Sequence, residues 1–242
     1  MNAQLQTAVT LIYPPRCFTC GDMVESDFGL CGPCWRDTSF LGGAVCDSCG
    51  VQLTSGGQGE FHHCDSCMQA PMPWVQGRSA LAYSAMGRKL VLSLKHGDRQ
   101  EIARPAGLWM ANVMRAHVEE RTLVVPVPLH WVRLLKRRYN QSALLAKSVG
   151  INLGLPWCPD ALVRVRRTKS LEGLSRQERF ENLENAIQPH ARRGRLLVGR
   201  PILLVDDVMT SGATLMACAQ ACLDAGSGPV RVLTLARAAK DA

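Results

Sequence analysis

The chain has 242 residues, 47% of them hydrophobic and 20% charged, the make-up of an ordinary soluble globular protein long enough for one large domain or two small ones. No run reaches the roughly 18 apolar residues that a membrane span needs. The opening MNAQLQTAVTLIYPP has neither the basic start nor the small-residue cleavage site of a secretory signal, so a cytoplasmic protein without membrane insertion is expected. The net charge of +8 divides unevenly: residues 1–70 hold two basic and seven acidic side chains, and residues 71–242 hold 26 basic and 13 acidic. The basic part suits an anionic ligand, either a phosphorylated small molecule or nucleic acid.

Eight of the eleven cysteines fall before residue 70, in four Cys-x-x-Cys pairs: Cys17 and Cys20, Cys31 and Cys34, Cys46 and Cys49, Cys64 and Cys67. Without an export signal, disulfides are disfavoured and metal sites are the natural alternative. Two residues between thiolates let one tight turn aim both sulfurs at one ion, and two such turns complete a tetrahedral zinc shell. Two Zn²⁺ sites are expected, most simply the first pair with the second and the third with the fourth. The rival is a redox role for CGPC, a thioredoxin-type spacing, and His62 or His63 is an alternative ligand at the second site. Gly21, Gly32 and Gly50 sit in or beside the turns, where the backbone often needs positive φ. With few apolar residues between the pairs, zinc must supply the fold of residues 1–70. Filled four-thiolate sites leave no open position, so this zinc is structural.

From residue 71 to 242 helical and strand periods alternate, so this second domain is expected to be α/β, a mainly parallel sheet flanked by helices. RSALAYSAM reads as a strand or hairpin, MGRKLVLSLKHG as an amphipathic helix ending at Gly97 with Lys95 and His96 suited to its dipole, and IARPAGLWMANVMRAHV as a second helix. RTLVVPVPL is a strand ending in a rigid, proline-stiffened loop. WVRLLKRRYNQSALLAKSVG reads as helical with Gly150 as its cap, ALVRVRR as a strand and LSRQERFENLENAI as a charged helix. RPILLVDDV is a buried strand, TLMACAQACLDAG a helix closed by Gly226, and PVRVLTLAR a last strand. Cys158, Cys218 and Cys222 are isolated, and the last two, four apart on a helix, read as core residues.

A buried strand gains nothing from two like charges at its tip, yet Ile202–Val205 runs into Asp206 and Asp207. The following loop, Met209–Gly212, leads into a helix starting near Thr214. Free amides at a helix start, hydroxyls of Thr210, Ser211 and Thr214, and a glycine permitting close approach make a phosphate cradle. Two carboxylates beside it suit the vicinal hydroxyls of a sugar, so a phosphorylated ribose satisfies both features. A response-regulator receiver also carries an acidic pair after an apolar strand, but early in its domain, and here only 35 residues follow Asp207.

ILLVDDVMTSGAT resembles the phosphoribosyl diphosphate signature of type I phosphoribosyltransferases. With CFTCG, LCGPCW, SLKHGD, VVPVPLHWVRLLKRRYNQS and RRTKSLEGLSRQERFENLENAI, the chain resembles the competence protein F (ComF) family over nearly its whole length. The resemblance implies a double zinc ribbon followed by a phosphoribosyltransferase-like domain, in a family linked to DNA uptake. It implies that Asp206 and Asp207 contact the ribose hydroxyls as catalytic residues, and that Thr210, Ser211, Gly212, Ala213 and Thr214 hold the 5-phosphate. Charge on the leaving pyrophosphate calls for Mg²⁺ and basic donors. Pro128 and Leu129 of the loop VPVPLH, Arg137 and Asn140 after it, and Arg166, Arg167, Lys169 and Arg179 in a substrate-covering segment are the implied pyrophosphate side. Two departures stand out: the family usually has glycine where Arg138 stands and glutamine where Leu171 stands. The expected activity is phosphoribosyl transfer to an acceptor the sequence does not name. The alternative is a non-catalytic metabolite sensor or a module for single-stranded DNA or a DNA-processing protein, with Trp131 and Tyr139 stacking on bases among Arg133, Lys136, Arg137 and Arg138. Helical spacing from Leu134 and Leu135 instead assigns Trp131 to the core.

Overall fold

The computed structural model describes residues 14–25, 29–54, 62–96, 99–166 and 185–239. Each Cys-x-x-Cys pair forms a tight turn. The first and third close with Gly21 and Gly50 at positive φ, +84° and +68°, whose amides donate to the carbonyls of Cys17 and Cys46. The second and fourth pairs open the one-turn helices α1 (Gly32–Arg36) and α2 (Asp65–Gln69).

Beyond them the chain runs through β1 (Gln76–Ala82), α3 (Ala85–His96), α4 (Ala103–Met114), β2 (Leu123–Pro126), α5 (Trp131–Arg137), α6 (Gln141–Leu153), β3 (Leu162–Arg164), β4 (Ile187–Pro189), β5 (Ile202–Met209), α7 (Ala213–Asp224) and β6 (Val230–Arg237). Four strands form a parallel sheet in the order β1-β6-β5-β2, and β3 and β4 pair antiparallel beside it. Alternate residues of β5 feed two cores, as a strand buried on both faces must. Ile202 and Leu204 pack with Leu215, Cys218 and Cys222 of α7. Leu203 and Val205 pack with Leu90, Met110, Leu145 and Val149 of α3, α4 and α6. All of these side chains are essentially out of water. Among the described residues no helix is long and apolar enough to cross a membrane.

The ribbons lie along the outer edge of β1. Leu41 donates to the Ala80 carbonyl, Ala82 to that of Ser39, and Phe40 and Leu81 form an antiparallel bridge, so the strand's spare backbone groups are covered. Further along, the Gly77 amide donates to the Asp47 carbonyl at 2.7 Å. This approach needs glycine, because a Cβ at position 77 would lie 2.3 Å from the Ser48 oxygen. The Asp47 carboxylate meets Arg78 at 2.6 Å and accepts from the His62 amide. Burial alone would raise the Asp47 carboxyl, but Arg78, the His62 amide and Gln76 together hold it below the usual carboxylate range. Trp35 and Phe40 meet Trp109 of α4 edge-on.

Three expectations are corrected. The helical stretch 131–150 is two helices, because Arg138 ends α5 in the left-handed region (φ +66°) and the Asn140 side chain accepts from the Ser142 amide to start α6. Gly150 lies inside α6, and Gly154 (φ +68°) ends it. Strand β5 agrees with the reading of RPILLVDDV as one strand and runs on to Met209: β6 stays beside it through Arg237 and pairs Asp206 with Thr234 and Met209 with Arg237. Of the expected charged helix, residues 174–184 lie outside the described residues, and its end at Ile187 is already strand.

The exposed Arg138 holds a left-handed conformation that disfavours any side chain and suits glycine. Replacing it with glycine, Arg138→Gly, is expected to stabilise the protein by about 1 kcal/mol in urea unfolding.

Candidate functional site

The sulfurs of Cys17, Cys20, Cys31 and Cys34 lie within 4.8 Å of one another, and so do those of Cys46, Cys49, Cys64 and Cys67. The pairing is therefore sequential. Zinc with bonds of about 2.3 Å holds tetrahedral sulfurs about 3.8 Å apart, and the separations fit: 3.4 Å for Cys20 to Cys31 and 3.7 Å for Cys49 to Cys64. The Cys64 amide points at the Cys46 sulfur, 3.3 Å away, a contact that favours thiolate. CGPC belongs to a four-cysteine set and is not an isolated redox pair. Both histidines stand outside the second set, His63 hydrogen-bonding with the Ser48 hydroxyl at 3.0 Å. Four donors complete the shell, so zinc here organises structure.

The acidic pair sits near the carboxyl end of β5, where the helices α3 and α6 converge. Asp206 Oδ1 accepts from the Ser142 hydroxyl at 2.7 Å, at the first turn of α6, and from the Asp207 amide at 2.9 Å. Asp207 is 4% exposed and pairs with Lys95 at 3.0 Å, while its Oδ2 has no hydrogen-bond partner. Burial, then the Asp207 charge beside it, pushes the Asp206 carboxyl up to about 7 against the pull of Ser142 and Lys95.

Beyond the pair, β5 ends at Met209 and the chain turns through Thr210, Ser211 and Gly212 into α7. Gly212 takes φ +81°, a conformation that lets the chain enter the helix directly after the strand. Asp206 and residues 208–215 line a shallow depression open to solvent. Thr210 is exposed, Ser211 and Thr214 are half-buried, and of the first amides of α7, which have no partner within the helix, that of Ala213 meets the Ser211 hydroxyl oxygen at 3.5 Å. The donor set, amides and hydroxyls at a helix N-terminus with a carboxylate beside them, has the chemistry of a sugar-phosphate site.

Of the residues suggested for a pyrophosphate, Pro128 and Leu129 lie in the loop after β2, and Arg137 ends α5. Arg137 lies close to α3: burial first, then Arg137, Lys95 and Lys136, hold the His96 imidazole below its ordinary value. Asn140 spends its side chain within the fold, capping α6 and donating to the Val127 carbonyl at 3.0 Å. Arg166 is described and exposed, whereas Arg167, Lys169, Leu171 and Arg179 lie outside the described residues. Trp131, assigned to the core by spacing, is 63% exposed, because α5 buries none of its side chains. Tyr139 is instead buried, its hydroxyl donating to the Leu94 carbonyl at 2.6 Å, which withdraws it from any stacking surface.

The double zinc ribbon domain family matches residues 8–68. The DNA utilization protein YhgH of Escherichia coli K12 is 31% identical over 94% of this chain and 99% of its own length. The chain belongs to the competence protein F (ComF) family. Competence protein F of Haemophilus influenzae is 28% identical over 92% of this chain and 97% of that one. Among solved structures, a hypoxanthine phosphoribosyltransferase from Staphylococcus aureus overlaps distantly, with a TM-score of 0.35, 11% identity and coverage of 59% of this chain and 70% of that one. The fold is a double zinc ribbon joined to an α/β domain with a parallel sheet flanked by helices.

Two groups at the site were not anticipated. Lys95 reads from sequence as a helix-end cation, yet it is the ion-pair partner of Asp207. Ser142 had a usable signal, since a serine two residues after a capping asparagine sits in the first turn of a helix, but nothing local tells that this turn faces β5.

The upward shift of the Asp206 carboxyl makes a test of its environment. The unfolded carboxyl ionises in the ordinary range, so the favourable contribution of the protonated folded form is full below about pH 4 and is lost as pH rises through about 7. Asp206→Asn, which stays neutral, is therefore expected to raise the melting temperature clearly at about pH 8 and hardly at about pH 4, by scanning calorimetry. An equal effect at both pH values would show that Asp206 ionises normally.

Proposed function

We propose that this ComF protein binds phosphoribosyl diphosphate with magnesium and acts as a phosphoribosyltransferase. In this reading residues 1–70 form the double zinc ribbon and residues 71–242 the catalytic domain, and the protein works in the cytoplasm, where the eight ribbon thiols stay reduced for metal. One observation carries it: an acidic pair, half-buried Asp206 and buried Asp207, adjoins a helix-start loop of hydroxyls and amides, with Gly212 in the left-handed region. Thr210 to Thr214 take the 5-phosphate, and Asp206 and Asp207 take the ribose hydroxyls.

Transfer breaks the bond between the anomeric carbon and the pyrophosphate oxygen, whose electron pair leaves with pyrophosphate, and forms a bond from that carbon to the acceptor nucleophile. Lys95 and Arg137, close to the acidic pair and to His96, stand where they attract the diphosphate. The carboxylates of Asp206 and Asp207 favour the positive charge that develops on the sugar ring. Magnesium, carried with the diphosphate, screens its negative charge.

A second reading is favoured by the exposed face of α5. Trp131 stands out beside Arg133, Lys136, Arg137 and Arg138, the mix of an aromatic platform and cations that holds single-stranded nucleic acid. The names of the relatives, a DNA utilization protein and a competence protein, agree with it. DNA or a DNA-processing protein is then the partner, with the phosphate site as a metabolite sensor.

Isothermal titration of the zinc-loaded protein with phosphoribosyl diphosphate is expected to give micromolar binding that magnesium strengthens and that Asp206→Asn with Asp207→Asn abolishes. No binding by the folded protein would sink both the enzyme and the sensor. Trp131→Ala should weaken binding of an oligodeoxynucleotide by about 1–3 kcal/mol if the second reading holds, while leaving the diphosphate titration unchanged.

A further inference from the structure

Arg237 ends β6, and its guanidinium reaches two places at once. Nε donates to the Cys49 carbonyl at 3.0 Å. Nη1 donates to the carbonyls of Met209 at 3.1 Å and Thr210 at 2.8 Å, and also to that of Ala238. Cys49 belongs to the second four-cysteine set, and Met209 and Thr210 open the phosphate loop. A second bridge runs beside the first. The Trp74 indole donates to the Ser48 carbonyl at 2.6 Å, in the same Cys-x-x-Cys turn, and its ring edge lies 3.4 Å from where a Cβ on Gly212 would stand. The first four-cysteine set packs elsewhere, with Phe18 against the core of α3 and α4.

These bonds fix more than the carbonyls they touch. A trans peptide is planar, so its C=O and the next N–H point in opposite directions. Holding the Thr210 oxygen toward Arg237 therefore aims the Ser211 amide away from it, and holding the Met209 oxygen does the same for the amide of Thr210. Guanidinium donors sit in a rigid fork, so a shift of the Cys49 carbonyl on one side is felt by the loop carbonyls on the other. The place of the Cys49 carbonyl depends in turn on the ion that ties its turn to the Cys64 and Cys67 turn.

We propose that Arg237 is a positioning residue through which metal occupancy of the second four-cysteine centre sets the aim of the phosphate-loop amides. The inference rests on the phosphate-binding reading of that loop for its ligand, whereas the mechanical coupling from centre to loop does not.

The test uses the full chain loaded with zinc, amide hydrogen exchange of the peptides spanning residues 209–216 and 103–114, and titration with ribose 5-phosphate. Arg237→Lys keeps the charge but loses the fork. It is expected to keep two zinc ions per chain, speed exchange in 209–216 about tenfold, leave 103–114 unchanged and weaken ribose 5-phosphate about tenfold, within the usual range of coupling between sites. Cys64→Ser, which empties the second centre, should speed the same loop peptide, and should add less than about twofold in the Arg237→Lys background, because both act through one link. Cys20→Ser at the first centre should leave the loop peptide unchanged. Unchanged loop exchange in Arg237→Lys overturns the proposal, as does acceleration that spreads equally to 103–114 or follows equally from either centre. If Cys64→Ser does not fold, Arg237→Lys alone decides. Local loop acceleration in a protein whose wild type ignores ribose 5-phosphate supports the coupling and overturns the phosphate reading, which keeps the two failures apart.

Discussion

The parallel pairing of β5 with β6 is the constraint on which the rest depends. Ile202 to Met209 run beside Val230 to Arg237 without interruption, and both strands are walled by apolar side chains on two faces. Fully buried strands have no freedom to slip, because a one-residue shift would exchange the two faces. That rigidity fixes where Asp206 and Asp207 emerge, where the loop begins and where Arg237 ends. A flexible support would leave a helix-start anion site without a fixed target.

The ribbons solve a different problem. Their own apolar content is small, so the thiolate sites must stabilise them, at roughly 10–16 kcal/mol apiece when zinc binds at neutral pH. In return they cover the edge of β1, which would otherwise present unpaired backbone groups. The Asp47 ion pair with Arg78 and the close approach at Gly77 tie them to that strand at a defined register. An acidic ribbon on a basic α/β body is thus electrostatically matched as well as hydrogen-bonded, and the charge asymmetry of the sequence is resolved within the molecule as well as toward a ligand.

Legibility in the sequence followed the range of the interactions. The cysteine pairs, the strand–acid–loop–helix order and the core cysteines are local patterns with strong physical meaning, and the sequential ligand sets were the simplest reading of their spacing. The break between α5 and α6 was carried by Asn140 as a cap, but the stretch WVRLLKRRYNQSALLAKSVG keeps a helical period on both sides of it, and period outweighed capping. Trp131 and Tyr139 exchanged expected places because burial depends on what a helix packs against, and α5 packs its side chains against little. Lys95 meeting Asp207 across 112 positions of sequence, and Arg237 meeting Cys49 across 188, belong to the fold as a whole and have no local signature.

The acidic pair is where the structure works against its own stability. An ionised carboxyl is costly beside Asp207 in a poorly solvated place, and a buried acceptor without a partner, as at Asp207 Oδ2, costs about 1–3 kcal/mol. Nothing in packing requires either group, since the same strand positions would hold apolar side chains well. Ser142 and Lys95 compensate in part. What remains unsatisfied is an acceptor that a hydroxyl donor could satisfy and a negative charge that a cationic sugar could neutralise. A destabilised pair of acids on a rigid strand is therefore the feature on which the sugar-phosphate proposal rests, because a group arriving from outside would relieve both costs.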